Sequence, residues 1–437
     1  MKQVVLLISD IIVLYGALAL ALLLRYQGKF GAQWYVHVVP FTILFVFWLT
    51  IFFITNLYDT RTLRNTPAFY STLLRTIAIA SILSVTFFYL IPYFRITPKT
   101  TLLFFIIIFS ATAAGSRTLY NALIGTRFKK SAVIVGTNPQ ALELAQFVRE
   151  NPQLGWRLNS VINTGSNLDA LRYALTQKQI DTVVVSPEAY QMQELIDVFY
   201  KSLNQRIAFR NLSSFYEQLT GRVPLGAINQ IWFLENLTEN TKRFYEMTKR
   251  AVDIVLAALL GLPVLVASPF IALAVTLDSP GPILYHQRRL GRAGSTFQII
   301  KFRTMRKDAE QQTGAVWAQD NDPRVTRLGR FLRKTRIDEL PQLWNIVKGE
   351  MSFVGPRAER PEFYEMLKKS VPFYEERYLI NPGLTGWAQI NYRYGSSIQD
   401  AAEKLQYDLY YIKNRSLILD FGIILKTINI AMRQGGR

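Results

Sequence analysis

Two acidic side chains stand side by side in Thr335-Arg-Ile-Asp338-Glu339-Leu-Pro341-Gln342. They open an expected helix whose apolar stripe is Leu340, Leu343, Trp344 and Val347 and which Lys348-Gly349 ends. Taken alone they read as a helix start, since Thr335 and Asp338 match a capping box and acidic groups complement the positive end of a helix. Their surroundings point to other chemistry. Arg333, Arg336 and the earlier Lys301-Phe302-Arg303-Thr304-Met305 bring cations suited to phosphate oxygens. Ser352-Phe-Val-Gly355-Pro356-Arg357 offers a tight turn ending in a guanidinium. Asn381-Pro-Gly-Leu-Thr385-Gly386-Trp387 has the glycines and hydroxyl of a loop that closely approaches a ligand. Adjacent carboxylates among cations suit phosphoryl transfer: one can attack phosphorus and the other can hold Mg²⁺, which takes few carboxylates plus phosphate oxygens.

Composition narrows the alternatives. The chain has no Cys, so disulfides, thiolate zinc sites and a cysteine nucleophile are excluded, and its two His residues (His37 and His286) leave little for a His-rich metal site. Catalysis then falls to carboxylates, Lys/Arg, hydroxyls or a hard metal ion. A net charge of +19, from 50 Lys+Arg against 31 Asp+Glu, asks for an anionic partner. Nucleic acid, anionic lipid headgroups and phosphorylated substrates all satisfy it. Half of the 437 residues are hydrophobic, which is high for a soluble chain of two or three domains.

The elements that must carry these residues begin with four apolar runs. Val4–Leu24 and Val38–Tyr58 each hold 21 residues, about 30 Å as helix, which matches a hydrocarbon core. Thr76–Phe94 is a third, and Thr101–Gly115 becomes a fourth if it continues through Ser116–Ile124 past Arg117. Lys2, Arg61, Arg64, Arg75, Arg117, Arg127, Lys129 and Lys130 fall on one side, against Arg25, Lys29, Arg95 and Lys99 on the other. This places both termini and everything after residue 125 in the cytosol. Asp10, inside the first run, is expected to make a polar contact between helices.

From Ser131 the period changes. Ser131–Gly136, Trp156–Asn163, Asp181–Ser186 and Ile207–Asn211 read as strands, with helices at Pro139–Glu150, Asn167–Gln177 and Gln191–Leu203. Such alternation implies a parallel, Rossmann-like sheet. Its first turn, Gly136-Thr-Asn-Pro-Gln-Ala, has one glycine where a dinucleotide fingerprint has three, so a regulatory or assembly domain is the better reading.

Ala251–Leu277 is a fifth apolar segment, interrupted by Pro263 and Pro269. It can cross as a kinked span, or it can enter one leaflet, bend at Ser268-Pro269 and leave on the same side. A proline frees a carbonyl that a neighbouring Ser hydroxyl can satisfy, which makes a bend tolerable in lipid. The dense basic run that follows, from His286 and Arg288 to Lys334 and Arg336, belongs on the cytosolic side facing anionic lipid and supports re-entry.

In order along the chain, Lys301–Met305, Arg333–Gln342, Ser352–Arg357 and Asn381–Trp387 resemble the motifs of the bacterial sugar transferase family, the monotopic phosphoglycosyl transferases. Ser268-Pro269 followed by Asp278-Ser-Pro-Gly-Pro282 is similar to their re-entrant helix and its exit. The match runs from about Lys249 to the C-terminus, and the preceding spans and α/β domain resemble the large members that initiate exopolysaccharide, capsule or O-antigen repeat units. The resemblance implies three parts: a four-span α-helical membrane bundle (1–125), a Rossmann-like α/β domain (126–235), and a monotopic α/β catalytic domain (236–437) with a re-entrant helix at 251–277.

The resemblance also implies a reaction. Asp338 would be the nucleophile and Glu339 the Mg²⁺ ligand; a UDP-sugar would yield UMP and a phosphosugar on Asp338, which undecaprenyl phosphate would then accept. Lys301, Arg303, Arg333, Gln342, Arg357, Thr385 and Asp408 would bind substrate, and Ser268 and Pro269 would form the membrane break. The place would be the bacterial inner membrane, with anionic lipids as partners, no nucleic acid, and a homodimer left open. One departure is Ala358, where the family commonly has Pro directly after Gly-Pro-Arg; Pro361 comes three residues later, which leaves the sugar contacts open. Two rival readings are a membrane-tethered nucleotide-sugar dehydratase, which needs a Gly-rich dinucleotide loop that this chain lacks, and a basic membrane scaffold without catalysis.

Overall fold

The computed structural model describes residues 2–91, 99–123, 129–163, 171–172, 175, 180–237, 242–306, 309, 322–392, 395 and 397–434. By contact the chain forms two compact units, Met1–Leu212 and Ser213–Arg437.

The first unit opens with four helices, α1 (Lys2–Tyr26), α2 (Phe30–Ile54), α3 (Pro67–Leu90) and α4 (Lys99–Ala122). Between lipid-embedded helices the hydrophobic effect offers nothing, so packing must hold them together. The sequence supplies it as an aromatic row on α2, where Phe41, Phe45, Trp48 and Phe52 are buried against Phe105 and Phe109 of α4. Phe45 stacks on Phe105 at 5.5 Å, and Trp48 meets Phe109 edge-on at 5.2 Å. Trp48 Nε1 also donates to Ser84 Oγ of α3 at 2.9 Å. Asp10 does make the expected contact: Arg117 Nη2 of α4 donates to its Oδ2 at 2.7 Å, with both side chains buried. The fourth helix therefore does continue past Arg117. The end of the third run and the expected boundary after residue 125 lie outside the described residues.

By length and composition, four helical stretches among the described residues are apolar enough to cross a membrane: Lys2–Ile54, which holds α1 and α2, then Pro67–Leu90, Lys99–Ala122 and Arg243–Asp278.

The same unit continues into a four-stranded parallel sheet of order β2-β1-β3-β4, with β1 at Lys130–Val135, β2 at Trp156–Ile162, β3 at Thr182–Val185 and β4 at Ala208–Asn211. Each lies within a residue of its expected span. Ala132–Val135 and Val183–Val185 are fully buried, the continuous apolar reading of central parallel strands covered on both faces. Helices α5 (Pro139–Glu150) and α6 (Gln193–Lys201) connect strands; the helix expected at 167–177 falls largely outside the described residues. Gly136 has φ +130°, and a Cβ there would sit 2.3 Å from Ser186 Oγ, so this glycine serves the close approach of β1 and β3. Asn138 caps α5 through the Ala141 N–H and donates to the Glu188 carboxylate at 3.1 Å. A carboxylate thus stands beside the helix start, where a dinucleotide would place its pyrophosphate.

The second unit begins near α7 (Leu212–Thr220), whereas the sequence put a boundary at 235/236. Val223 and Trp232 lie in its core, Trp387 Nε1 donates to Gly221 O at 2.8 Å, and Lys413 pairs with Glu217 at 2.8 Å. The helices in this stretch are too short to show by periodicity which body they join. A 36-residue helix, α8 (Arg243–Asp278), follows. Its first half is tied down by Lys249 to Asp420 (2.9 Å), Arg250 to the carbonyls of Ile346 and Val347, and Asp253 to the Phe353 N–H. Its last turn packs Val275 against Phe302 and Leu332. No residue from 258 to 274 is buried. Ser268 Oγ donates to Leu265 O at 2.8 Å, the very carbonyl that Pro269, four residues on, cannot bond.

The rest of the unit includes an antiparallel hairpin, β5 (Leu284–Leu290) with β6 (Thr296–Phe302), then α9 (Arg327–Thr335), α10 (Leu343–Lys348), a parallel pair of β7 (Ser352–Val354) with β8 (Gly383–Thr385), α11 (Ile398–Asn414) and α12 (Leu417–Gln434), with shorter helices at Pro361–Ser370 and Trp387–Asn391.

Candidate active site

Asp338 and Glu339 are positioned by a backbone reversal. Thr326 Oγ1 caps α9 by accepting the Gly329 N–H at 2.9 Å, and Gly329 is required because a Cβ there would meet Thr304 O at 2.1 Å. After Thr335 the chain passes through Arg336 at φ +60°, a left-handed C-cap that costs a residue other than glycine on the order of 1 kcal/mol and turns the chain sharply out of α9. A 3₁₀ turn, Ile337–Gln342, then buries both carboxylates. The capping reading fails here: Thr335 Oγ1 donates back to Phe331 O and Leu332 O, and Asp338 Oδ1 is buried without a partner. The apolar stripe is also shorter than expected. Leu343 and Ile346 face the core while Trp344 and Val347 are exposed, because the 3₁₀ turn shifts the register before α10 begins.

Lys301 reaches the pair from β6. It shares the inward face of Phe297 and Ile299, four and two residues earlier, so strand alternation aims its ammonium inside. Asn345 of α10 fastens that strand by bonding the Ile300 N–H and Gln298 O.

Three cations converge on Glu339. Lys301 Nζ lies 3.0 Å and Arg357 Nη2 2.9 Å from its Oε1, and Arg336 Nη1 lies 3.7 Å from its Oε2. The electrostatics split the two carboxylates. Burial would raise Glu339, but Lys301, Arg357 and Arg336 hold it well below the ordinary carboxylate range. Burial and the Glu339 charge push Asp338 up to about 6, against the pull of Lys301, Arg333 and Arg336. Burial also lowers the Lys301 ammonium. Adjacent carboxyls driven apart in this way are a signature of reacting groups.

The other expected site residues divide. Arg333 Nε donates to Thr304 Oγ1 at 2.8 Å, and its charge acts on Asp338. Gln342 is buried with its Nε2 unpartnered, close in sequence to the pair. Arg303 is instead committed to the end of α8, donating to the carbonyls of Val275, Ser279 and Pro280. Thr385 shares a 2.6 Å hydrogen bond with Thr427. The glycines around it serve the chain itself: a Cβ on Gly383 would lie 2.1 Å from Gly355 N, and one on Gly355 would lie 2.4 Å from Asn381 O. The Asn381–Trp387 loop is thus a strut for the Gly355-Pro356-Arg357 turn. Asp408, buried on α11, accepts from Arg377 Nη2 at 2.9 Å. Burial pushes it up to about 6, opposed by Arg377. Arg377 itself has no motif around it that marks it from sequence.

Among the described residues no three His, Cys, Asp or Glu side chains gather as a metal cage. Mg²⁺ asks for less, one or two carboxylates with substrate phosphate oxygens and water. The unpartnered Asp338 oxygen beside Glu339 is a donor set of that kind, so the residues fit the ion.

A family model described as bacterial sugar transferase matches residues 244–434. A UDP-N-acetylgalactosamine-undecaprenyl-phosphate N-acetylgalactosaminephosphotransferase of Aeromonas hydrophila is 42% identical over 50% of this chain and 51% of its own. The exopolysaccharide production protein PSS of Rhizobium leguminosarum bv. phaseoli is 41% identical over 43% of this chain and 96% of its own. A UDP-galactose-lipid carrier transferase of Erwinia amylovora is 30% identical over 71% of this chain and 69% of its own. The chain belongs to the bacterial sugar transferase family. Of the Aeromonas relative the match spans about half the length. The matched region of this sugar transferase holds the whole carboxylate cluster and α8 up to its exit.

Proposed function

We propose that this sugar transferase moves a phosphosugar from a UDP-sugar to undecaprenyl phosphate, releasing UMP, as the initiating step of exopolysaccharide, capsule or O-antigen synthesis. The observation that carries the reading is Asp338, a buried carboxylate with a free oxygen, beside a Glu339 ringed by three cations. An Asp338 oxygen attacks the β-phosphorus. The bond from that phosphorus to the bridging oxygen breaks, and UMP leaves with the electron pair. The acyl phosphate left on Asp338 is attacked by an oxygen of undecaprenyl phosphate, which frees the carboxylate and forms undecaprenyl-diphosphate-sugar.

Lys301, Arg336 and Arg357 lie where phosphate oxygens would replace the Glu339 carboxylate as their partner, and Arg333 adds charge beside Asp338. Glu339, released from its cations, would hold Mg²⁺ together with phosphate oxygens. Bound there, the ion would neutralise the diphosphate and stabilise the leaving phosphate.

We read α8 as re-entrant. From Asp253 to Val275 a straight helix would rise about 33 Å, a full hydrocarbon core. Yet both residues pack on the same unit while the stretch 258–274 between them contains no buried residue, with Val264 and Ile271 only half-buried against it, which supports entry and exit on one side. The carboxylate cluster then lies at the leaflet surface, where a polyprenyl phosphate presents its headgroup. The Lys/Arg bias of the loops favours the cytosolic face of the bacterial inner membrane. The parallel sheet fits a Rossmann-like domain used for regulation or assembly.

UMP release from a panel of UDP-sugars by membranes carrying the protein tests the reading. One donor should give stoichiometric UMP and, with undecaprenyl phosphate, turnover. Because Asp338 must be ionised to attack, kcat/KM should rise through pH about 6 and level off above it. Activity undiminished at pH 5, or no UMP from any donor, would sink it.

A further inference from the structure

We propose that Asp408 and Arg377 are positioning residues for Arg357, fixing the backbone from which its guanidinium reaches Glu339. The inference rests on the reading of Asp338-Glu339 as the reacting pair.

Arg377 lies buried beneath the loop. Its Nη2 donates both to Asp408 Oδ2, at 2.9 Å, and to the Arg357 carbonyl, at 3.1 Å. Its Nη1 donates to Tyr374 OH at 2.6 Å and lies 3.9 Å from Glu359 Oε2. The next carbonyl along, Ala358 O, accepts from Arg289 Nη1 of β5 at 3.0 Å. Two successive carbonyls are therefore gripped by guanidinium groups from different parts of the unit. This grip falls where Ala358 removes the conformational restriction of a proline. The Arg357 side chain is 37% exposed, and its long stem would otherwise sample solvent. Holding its carbonyl confines where the guanidinium can go.

Asp408 is the counter-charge that makes this possible. A guanidinium buried without a carboxylate is strongly disfavoured. With Asp408 neutral, Arg377 would turn toward Glu359 and release the Arg357 carbonyl. The hold on Arg377 uses both ends of the planar fork, Nη1 on Tyr374 OH and Nη2 on Asp408 and the Arg357 carbonyl, and a single ammonium nitrogen cannot meet all three acceptors in the same geometry.

The test is a double-mutant cycle on the full chain in native membranes, reading UMP release from the donor found active with wild type, together with melting temperature after detergent extraction. Asp408→Asn should slow UMP release about 10- to 100-fold, the size expected for an ångström-scale misplacement. In an Arg357→Ala background the same substitution should change the rate by less than about twofold, since the group it positions is gone. Losses that multiply in the double variant would show a general structural role and overturn the proposal. If Asp408→Asn does not extract as folded protein, Arg377→Lys replaces it in the cycle: it keeps the charge pair and the fold and should show the same rate loss. A wild-type rate in Arg377→Lys would overturn the proposal. Wild type releasing no UMP from any UDP-sugar would instead defeat the functional reading beneath it.

Discussion

Asp338→Asn should abolish UMP release, by about 10⁴-fold or more, the scale on which removing a covalent nucleophile acts. The amide fills the same space but offers no anionic oxygen to phosphorus. The substitution should also stabilise the protein, which separates loss of chemistry from loss of fold. Burial and the Glu339 charge raise the folded pKa of Asp338 from the ordinary carboxylate range to about 6. Its protonated form is thus favoured in the fold, and the fold loses stability as pH rises across that window. At pH 7 a neutral Asn escapes that penalty. Thermal unfolding at pH 7 should show a melting temperature equal to or above wild type. Activity within tenfold of wild type would contradict the role given to Asp338.

Glu339→Gln carries the second largest effect, a fall in kcat/KM on the order of 10²- to 10³-fold, as for loss of one preorganised charge-stabilising group. It removes the proposed Mg²⁺ ligand and leaves Lys301, Arg336 and Arg357 without the carboxylate that gathers them. A second consequence has a definite sign. The Glu339 charge contributes to raising Asp338, so its removal should shift the acid limb of the pH–rate profile to lower pH in the residual activity. A limb that stays in place or moves up would mean that the two carboxylates do not sense each other as the geometry requires.

Much of the architecture was legible because its causes are local and periodic. The apolar runs of α1 to α4 and the buried strands β1 and β3 announce themselves by composition, and a polar partner for Asp10 follows from the cost of a charge in lipid, though only the packing of α1 on α4 names it as Arg117. The carboxylate cluster was legible in part. Asp338, Glu339, Lys301 and Arg357 are brought together as their motifs suggested, though those motifs lie in three separate segments of the chain. Other expected site residues are held by the chain itself. Arg303 looks like a phosphate ligand by its motif, and its guanidinium donates to the carbonyls of Val275, Ser279 and Pro280 at the end of α8. Gly383 and Thr385 look like a ligand loop, yet their close approach is to Gly355 and Thr427. Only the tertiary crossing of β7 and β8 reveals that. Arg377 escaped notice because a buried arginine is defined by what surrounds it, and Asp408, Tyr374 and Arg357 are spread over more than thirty positions. The turn into the pair was hidden for a related reason: nothing in Thr335-Arg336-Ile337 signals a left-handed arginine.

The central claim, that phosphosugar passes through a bond to Asp338, is tested most directly by mass spectrometry of the protein exposed to its UDP-sugar without undecaprenyl phosphate and quenched in acid. A phosphosugar mass on the peptide containing Asp338, with no more than about one UMP released per chain, is the expected result. UMP that forms only when undecaprenyl phosphate is present, with no adduct on that peptide, would contradict it.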